Sequence, residues 1–103
     1  MNTIAVDAMG GDSAPIDIVK GAIKAKEQGV DVVLCGDKDL INPYLENYEI
    51  PVFDFPQVIS MDEDPLKAIR TKKNASIVGC MQLLKDKKVQ AVFSAGSTGA
   101  TLI

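Results

Sequence analysis

The sequence contains no histidine and no tryptophan among its 103 residues. Without an imidazole, these residues cannot supply a histidine general base, a charge relay or an imidazole ligand for a metal. Only two cysteines occur, Cys35 and Cys80, and their wide separation gives no closely spaced pair of the kind that binds zinc. Each lies in an apolar segment, which favours two reduced thiols in the core of a cytoplasmic protein.

The sequence also lacks long hydrophobic runs and an excess of positive charge. No stretch approaches the ~20 apolar residues that span a bilayer. The N-terminus lacks the basic segment and apolar run of a secretory signal. The net charge of −3 argues against a dedicated nucleic-acid-binding protein. What remains is a globular composition, 47% hydrophobic and 24% charged, with enough length for a single small core.

Apolar segments rich in β-branched residues alternate with helical patterns along the chain. Strands are predicted over 3–8, 30–35, 51–55 and 89–93, with a further short candidate at 57–60. Helices are predicted over 15–28 and 39–48, the second weakened by Pro43. A third begins at Asp64 and breaks near 72–74, and a fourth follows it with the basic residues of 85–88 at its exposed end. In the last helix, Ile77, Met81 and Leu84 are predicted to share the buried face. Alternation of this kind, with strands apolar on both faces, predicts an α/β fold with a parallel sheet covered by helices.

Two glycine-bearing turns follow predicted strands, one at 8–12 and one at 94–100. Main-chain N–H groups at the start of a helix have no intrahelical acceptor, so they bind phosphate or another oxyanion. The predicted phosphate-binding residues are Gly10, Gly11, Asp12, Ser94, Gly96, Ser97, Thr98 and Gly99. The simpler alternative is a pair of tight turns whose polar residues only cap the next helix. Because carboxylates repel phosphate, Asp7 and Asp12 are assigned to shaping the first loop or holding a nearby cation.

The segment 62–76 begins with acidic residues and ends with basic ones. One interpretation is a solvated helix whose charges match its dipole. The other is that Arg70, Lys72 or Lys73 contacts an anionic substrate or an acidic partner.

Three segments together resemble a known family. The sequences VDAMGGD at 6–12, DPLKAIRTKKNAS at 64–76 and SAGSTGA at 94–100 resemble, in order and separation, the signature blocks of PlsX-type phosphate acyltransferases. These enzymes act in bacterial phospholipid synthesis, and the resemblance covers nearly the whole chain. The sequence has Ser13 where histidine is frequent and Ser97 where asparagine is frequent, and Ala75 replaces one of a pair of serines. No imidazole role is therefore carried over to Ser13.

The resemblance implies a three-layer α/β/α sandwich like that of isocitrate and isopropylmalate dehydrogenases, of which residues 1–103 are the N-terminal part of a larger single catalytic domain. It implies transfer of a fatty acyl group from acyl carrier protein to inorganic phosphate, with no cofactor and no metal. It also implies a cytoplasmic homodimer that associates peripherally with the membrane. Contact with an anion or with acyl carrier protein is expected at five residues: Arg70, Lys72, Lys73, Asn74 and Ser76.

Two other functions stay open from the residues alone. One is a phosphotransacetylase-like acyltransferase that uses acyl-coenzyme A, and the other is a non-catalytic anion-binding or dimerisation module. The sequence identifies no catalytic group. Because the last residues read as a single unsupported helical turn, the 103-residue chain by itself is expected to be inactive and to self-associate, aggregate or be partly molten.

Overall fold

The computed structural model describes residues 2–10, 14–45, 48–57, 64–72 and 74–94. Within these ranges four strands form one parallel sheet in the order β3-β2-β1-β4. The strands are β1 (Thr3–Asp7), β2 (Asp31–Gly36), β3 (Val52–Asp54) and β4 (Ala91–Phe93). The predicted strand at 57–60 is described only at Gln57, which forms an isolated parallel bridge with Ala75.

The helices connect these strands. They are α1 (Ile16–Glu27), α2 (Lys38–Ile41) with a following 3-10 helix (Asn42–Tyr44), α3 (Pro65–Thr71) and α4 (Ser76–Lys85). The predicted helix over 39–48 is thus shorter than expected, because Pro43 lacks the N–H that would continue the α-helical ladder. The alternation of strands and helices, with a parallel sheet, confirms the predicted α/β class.

Side chains of the two central strands alternate between the faces of the sheet, as the period of two requires. One face packs against α1 through a core that includes Val6, Leu34 and Ile23. The opposite face packs against α4 through a core that includes Ala5 and Cys80. Helices therefore cover both faces of the described sheet, which explains why its strands carry apolar residues on each side.

The buried face of α4 differs from the predicted one. Ile77, Cys80 and Leu83 are buried, whereas Met81 is exposed, so its placement on the buried face was wrong. Phe55 selects this face because its ring lies against Gly79, where an added Cβ would be 2.6 Å from Cε2 of Phe55.

Both α1 and α4 end in the same backbone arrangement. Gly29 follows α1 with a φ of 89°, and Lys87 follows α4 with a φ of 61°. After α1, Val30 N–H donates to the Ala25 carbonyl, and after α4, Lys88 N–H donates to the Leu83 carbonyl. These bonds define a Schellman motif at each helix end. The prediction that Gly29 ends the first helix is confirmed.

The order in which the chain adds strands to the sheet reverses at β1. From β1 the chain moves outward to β2 and then β3, and it returns past β1 to place β4 on the other side. In open parallel sheets, ligands bind at such a reversal, beyond the carboxyl ends of the two strands on either side of it. Here those ends are Asp7 in β1 and Ser94, which directly follows β4.

Candidate functional site

Asp7 lies at the carboxyl end of β1 and is only 3% exposed. Its carboxylate accepts hydrogen bonds from the Ser76 hydroxyl, from the Ser94 hydroxyl at 2.8 Å and from the Met9 N–H at 3.1 Å. A buried carboxylate is costly unless its oxygens are hydrogen-bonded, and these donors satisfy both oxygens. Asp7 therefore joins three segments of the chain at the point where the strand order reverses.

Ser76 comes to Asp7 because it is the first residue of α4, which packs on this face of the sheet. It is 2% exposed, and its N–H donates to the Gln57 carbonyl at 3.0 Å. The chain just before it is held in the same way, since the Gln57 N–H donates to the Asn74 carbonyl at 3.1 Å. The amino end of α4 is thus fixed against the sheet edge, with its dipole favouring the nearby carboxylate.

Ser94 comes to Asp7 because β4 pairs with β1 in parallel register, Phe93 opposite Val6. Its hydroxyl donates to Oδ2 of Asp7 across 87 positions of sequence. Ser94 is the first residue of the predicted phosphate-binding turn. The hydrogen bond consequently fixes the position of Ser94, the first residue of that predicted turn.

The direction of these bonds limits what the two serines can do. A serine hydroxyl has one proton to donate, and in both Ser76 and Ser94 that proton points to Asp7. Neither side chain then has a second O–H to offer an anion. Main-chain N–H groups become the donors that an anion at this edge would use.

The two cysteines lie in the core beside this cluster, where Cys35 in β2 pairs with Asp7 in β1. Both are fully buried free thiols, as the sequence predicted for core residues. A hydrogen bond with Cys35, burial, and the negative charge of Asp7 raise the pKa of Cys80 well above its usual range. A thiol that stays protonated is a poor nucleophile, so Cys80 is a packing residue.

The other predicted site residues fall into two groups. Within the described ranges, Gly10 is buried, Arg70 and Asn74 are exposed and Lys72 is half-buried. Ser76 faces inward, so its hydroxyl is not available to a docked protein. Outside the described residues lie Gly11, Asp12, Lys73, Gly96, Ser97, Thr98 and Gly99.

Sequence reasoning left Asp7 out of the binding residues and gave it a role in shaping the loop. Its central position was signalled by one feature, an acidic residue at the end of an apolar strand and just before Gly10. Within the described ranges, no three metal-ligating side chains converge on one point. No helix in the same part of the chain has the length and hydrophobicity to cross a bilayer.

Comparison with known proteins gives a consistent picture. A family model described as fatty acid synthesis protein matches residues 2–103. A protein of Gloeothece citriformis named phosphate acyltransferase is 50% identical over 96% of this chain and 30% of its own length. Proteins of the same name from Desulforamulus reducens and Clostridium kluyveri are 48% and 46% identical, over 99% and 96% of this chain. The chain spans about a third of the length of these relatives, 32% and 31% for the last two.

Proposed function

The chain belongs to the fatty acid synthesis protein family, and from this membership we propose that the complete protein transfers a fatty acyl group from acyl carrier protein to inorganic phosphate. The product is an acyl phosphate for phospholipid synthesis. The observation that carries the proposal is the shared name of relatives that are 46–50% identical to this chain, phosphate acyltransferase. That name specifies phosphate as the acceptor, and we propose acyl carrier protein as the acyl donor.

The proposed reaction suits a chain without histidine. Phosphate is already an anionic nucleophile near neutral pH, so its oxygen can attack a thioester carbonyl without a strong protein base. The C–O bond forms as the C–S bond breaks, and the electron pair leaves with the thiolate. The protein's task is to position the phosphate and to donate hydrogen bonds to the carbonyl oxygen as it becomes negative.

The reversal point between β1 and β4 supports the proposal by its geometry. Asp7 and Ser94 are hydrogen-bonded to each other there, so the starts of the 8–12 and 94–100 turns lie side by side. The carboxylate at this edge is occupied by donors from the protein, which reduces its repulsion of a bound anion. We propose that main-chain amides of the two turns, with the Ser97 and Thr98 hydroxyls, bind the phosphate.

An acidic acyl donor would be attracted to the basic residues at the end of α3. Arg70 lies exposed in the last turn of this helix, and Lys72 and Lys73 follow it. Acyl carrier proteins are acidic, so we propose that these basic residues speed the encounter in a salt-dependent way. The proposal also includes the dehydrogenase-like sandwich, a cytoplasmic homodimer and peripheral membrane association of the complete protein.

The proposal is tested by incubating the complete protein with inorganic phosphate and either acyl-acyl carrier protein or acyl-coenzyme A. Mass spectrometry identifies the acyl phosphate directly, and phosphate-dependent release of the donor's free thiol gives the rate. We expect product from the carrier-protein thioester, at a rate that falls as salt is added. Product from acyl-coenzyme A alone would indicate a phosphotransacetylase-like enzyme. Phosphate binding with no product from either donor would indicate a non-catalytic module.

A further inference from the structure

We propose that Asp7 is a positioning residue for the phosphate site, acting through the Ser94 hydroxyl on the turn that begins there. The inference rests on the proposed function and deepens it, because it keeps the main-chain amides and the Ser97 and Thr98 hydroxyls as phosphate donors and excludes the Ser76 and Ser94 hydroxyls. Asp7 itself does not touch the substrate.

The first support is the set of contacts around Asp7. Oδ1 accepts from the Ser76 hydroxyl and the Met9 N–H, whereas Oδ2 accepts from the Ser94 hydroxyl. The carboxylate therefore holds the amino end of α4 and the first glycine turn with one oxygen and the start of the second turn with the other. A single planar group sets the spacing of three segments.

The second support is chemical. A hydrophobic side chain of similar volume would remove the acceptor that the Ser76 hydroxyl, the Ser94 hydroxyl and the Met9 N–H share. What the carboxylate adds is direction, because it is an acceptor and fixes each neighbouring hydroxyl as a donor towards itself. Ser94 is then unable to donate to phosphate, and its oxygen is held in one place. The predicted phosphate-binding turn therefore begins from a residue that is held in place.

The test uses Asp7→Asn in the complete protein. An asparagine can keep the bonds from Ser76 and Met9 with its carbonyl oxygen, and its NH₂ group then faces the Ser94 oxygen, where it cannot accept. We expect the KM for phosphate to rise roughly tenfold or more, with the KM for the acyl donor changed less than about twofold. The matched control is Asp54→Asn at the carboxyl end of β3, where Asp54 accepts from the Lys38 N–H at 3.2 Å. The control should leave both KM values unchanged.

Ser94 variants separate positioning from direct contact. Ser94→Ala should reproduce the phosphate defect of Asp7→Asn, and Ser94→Thr, which keeps the hydroxyl, should restore the normal KM. The double variant should be no worse than either single variant, because each removes the hydrogen bond that Ser94 donates to residue 7. Multiplying defects, or a Ser94→Ala defect far larger than that of Asp7→Asn, would mean that the Ser94 hydroxyl binds phosphate itself and would overturn the inference.

Binding of inorganic phosphate, measured by calorimetry, separates the inference from the proposed function. If the wild-type protein makes no acyl phosphate but binds phosphate, the proposed function fails while the Asp7→Asn and Ser94→Ala affinities still test the inference. An unchanged affinity in both variants, or no binding by the wild-type protein, overturns it. Should Asp7→Asn fail to fold, Ser94→Ala and Ser94→Thr carry the test alone.

Discussion

The Ser94 hydroxyl donates a 2.8 Å hydrogen bond to Oδ2 of Asp7 and so joins the ends of β1 and β4. This bond brings together the starts of two turns that the sequence predicts to bind an anion. Asp7 and Ser94 lie near opposite ends of the described chain, and the parallel pairing of β4 with β1 makes them neighbours. One pocket formed by both turns is therefore compatible with the fold.

The second turn should be far more sensitive to substitution than the exposed end of α4. Gly99→Val should abolish acyl phosphate formation, because a branched side chain obstructs close approach of the backbone to the phosphate. Loss of one oxyanion donor typically costs ~2.7–4 kcal/mol in a transition state. Lys88→Ala should leave the rate within about twofold. Phosphate-dependent thiol release by the folded proteins measures both rates, and similar rates would refute the assignment of this turn.

Ser76→Ala should lower the free energy of unfolding by about 1.5–3 kcal/mol, because Asp7 loses a buried charged hydrogen bond. Thr71→Ala is the matched control. The Thr71 hydroxyl is exposed and donates to the Lys67 carbonyl of its own helix, so its loss should change stability by less than about 0.5 kcal/mol. Denaturant titration compares the two variants. Equal losses of unfolding free energy in the two variants would mean that the buried hydrogen bond of Ser76 stabilises the protein no more than the exposed one of Thr71.

Two helical glycines should respond to alanine in opposite directions. Gly21→Ala in α1 adds a methyl group with no atom within 4 Å and should stabilise the protein by about 0.5–1 kcal/mol. Gly79→Ala in α4 places the methyl group 2.6 Å from Cε2 of Phe55 and should destabilise it by about 1–3 kcal/mol. Thermal unfolding of both variants gives the comparison. A Gly79→Ala protein as stable as Gly21→Ala would show that the Phe55 ring moves freely.

The two Schellman motifs predict a second opposed pair. Lys87→Gly should raise the free energy of unfolding by about 1 kcal/mol, because it relieves a left-handed conformation that costs a non-glycine residue ~1–2 kcal/mol. Gly29→Ala should lower it by a similar amount at the equivalent position of α1. Denaturation midpoints measure both. Lower stability of Lys87→Gly would indicate that the lysine side chain stabilises this helix end.

The raised pKa of Cys80 has a consequence at alkaline pH. The folded protein keeps this thiol protonated while the unfolded chain loses the proton above about pH 8.5. The free energy of unfolding should therefore fall by about 1.4 kcal/mol per pH unit between roughly pH 8.5 and 10 on account of this thiol. In Cys80→Ala, the free energy of unfolding should fall less steeply over this pH range, by about 1.4 kcal/mol per pH unit. An identical slope in both proteins would contradict the assignment.

Much of the fold was predictable because local patterns determine it. Gly29 marks the end of α1 from sequence, and the doubly apolar strands indicate a parallel sheet. Met81 was misplaced because α4 is apolar around most of its circumference, so periodicity alone could not select the buried face. The ring of Phe55 selects it, and that contact is not local.

The site was less predictable for the same reason. The Ser76 and Ser94 hydroxyls come to Asp7 from 69 and 87 residues away. No spacing rule connects them, since the pairing depends on the strand order. The glycine turns could be identified from sequence because each is a local signal, whereas the carboxylate between them could be assigned only from the assembled sheet.

The central place of β1 affects when its two edges are paired during synthesis on the ribosome. One edge of β1 is paired by residues 31–35, which emerge soon after it, and the other waits for residues 91–93. At ~5–20 residues per second, that second edge stays open for several seconds of synthesis. An open strand edge invites pairing with other nascent chains. This protein should therefore depend on chaperones during translation far more than one whose first strand lies at the rim of its sheet.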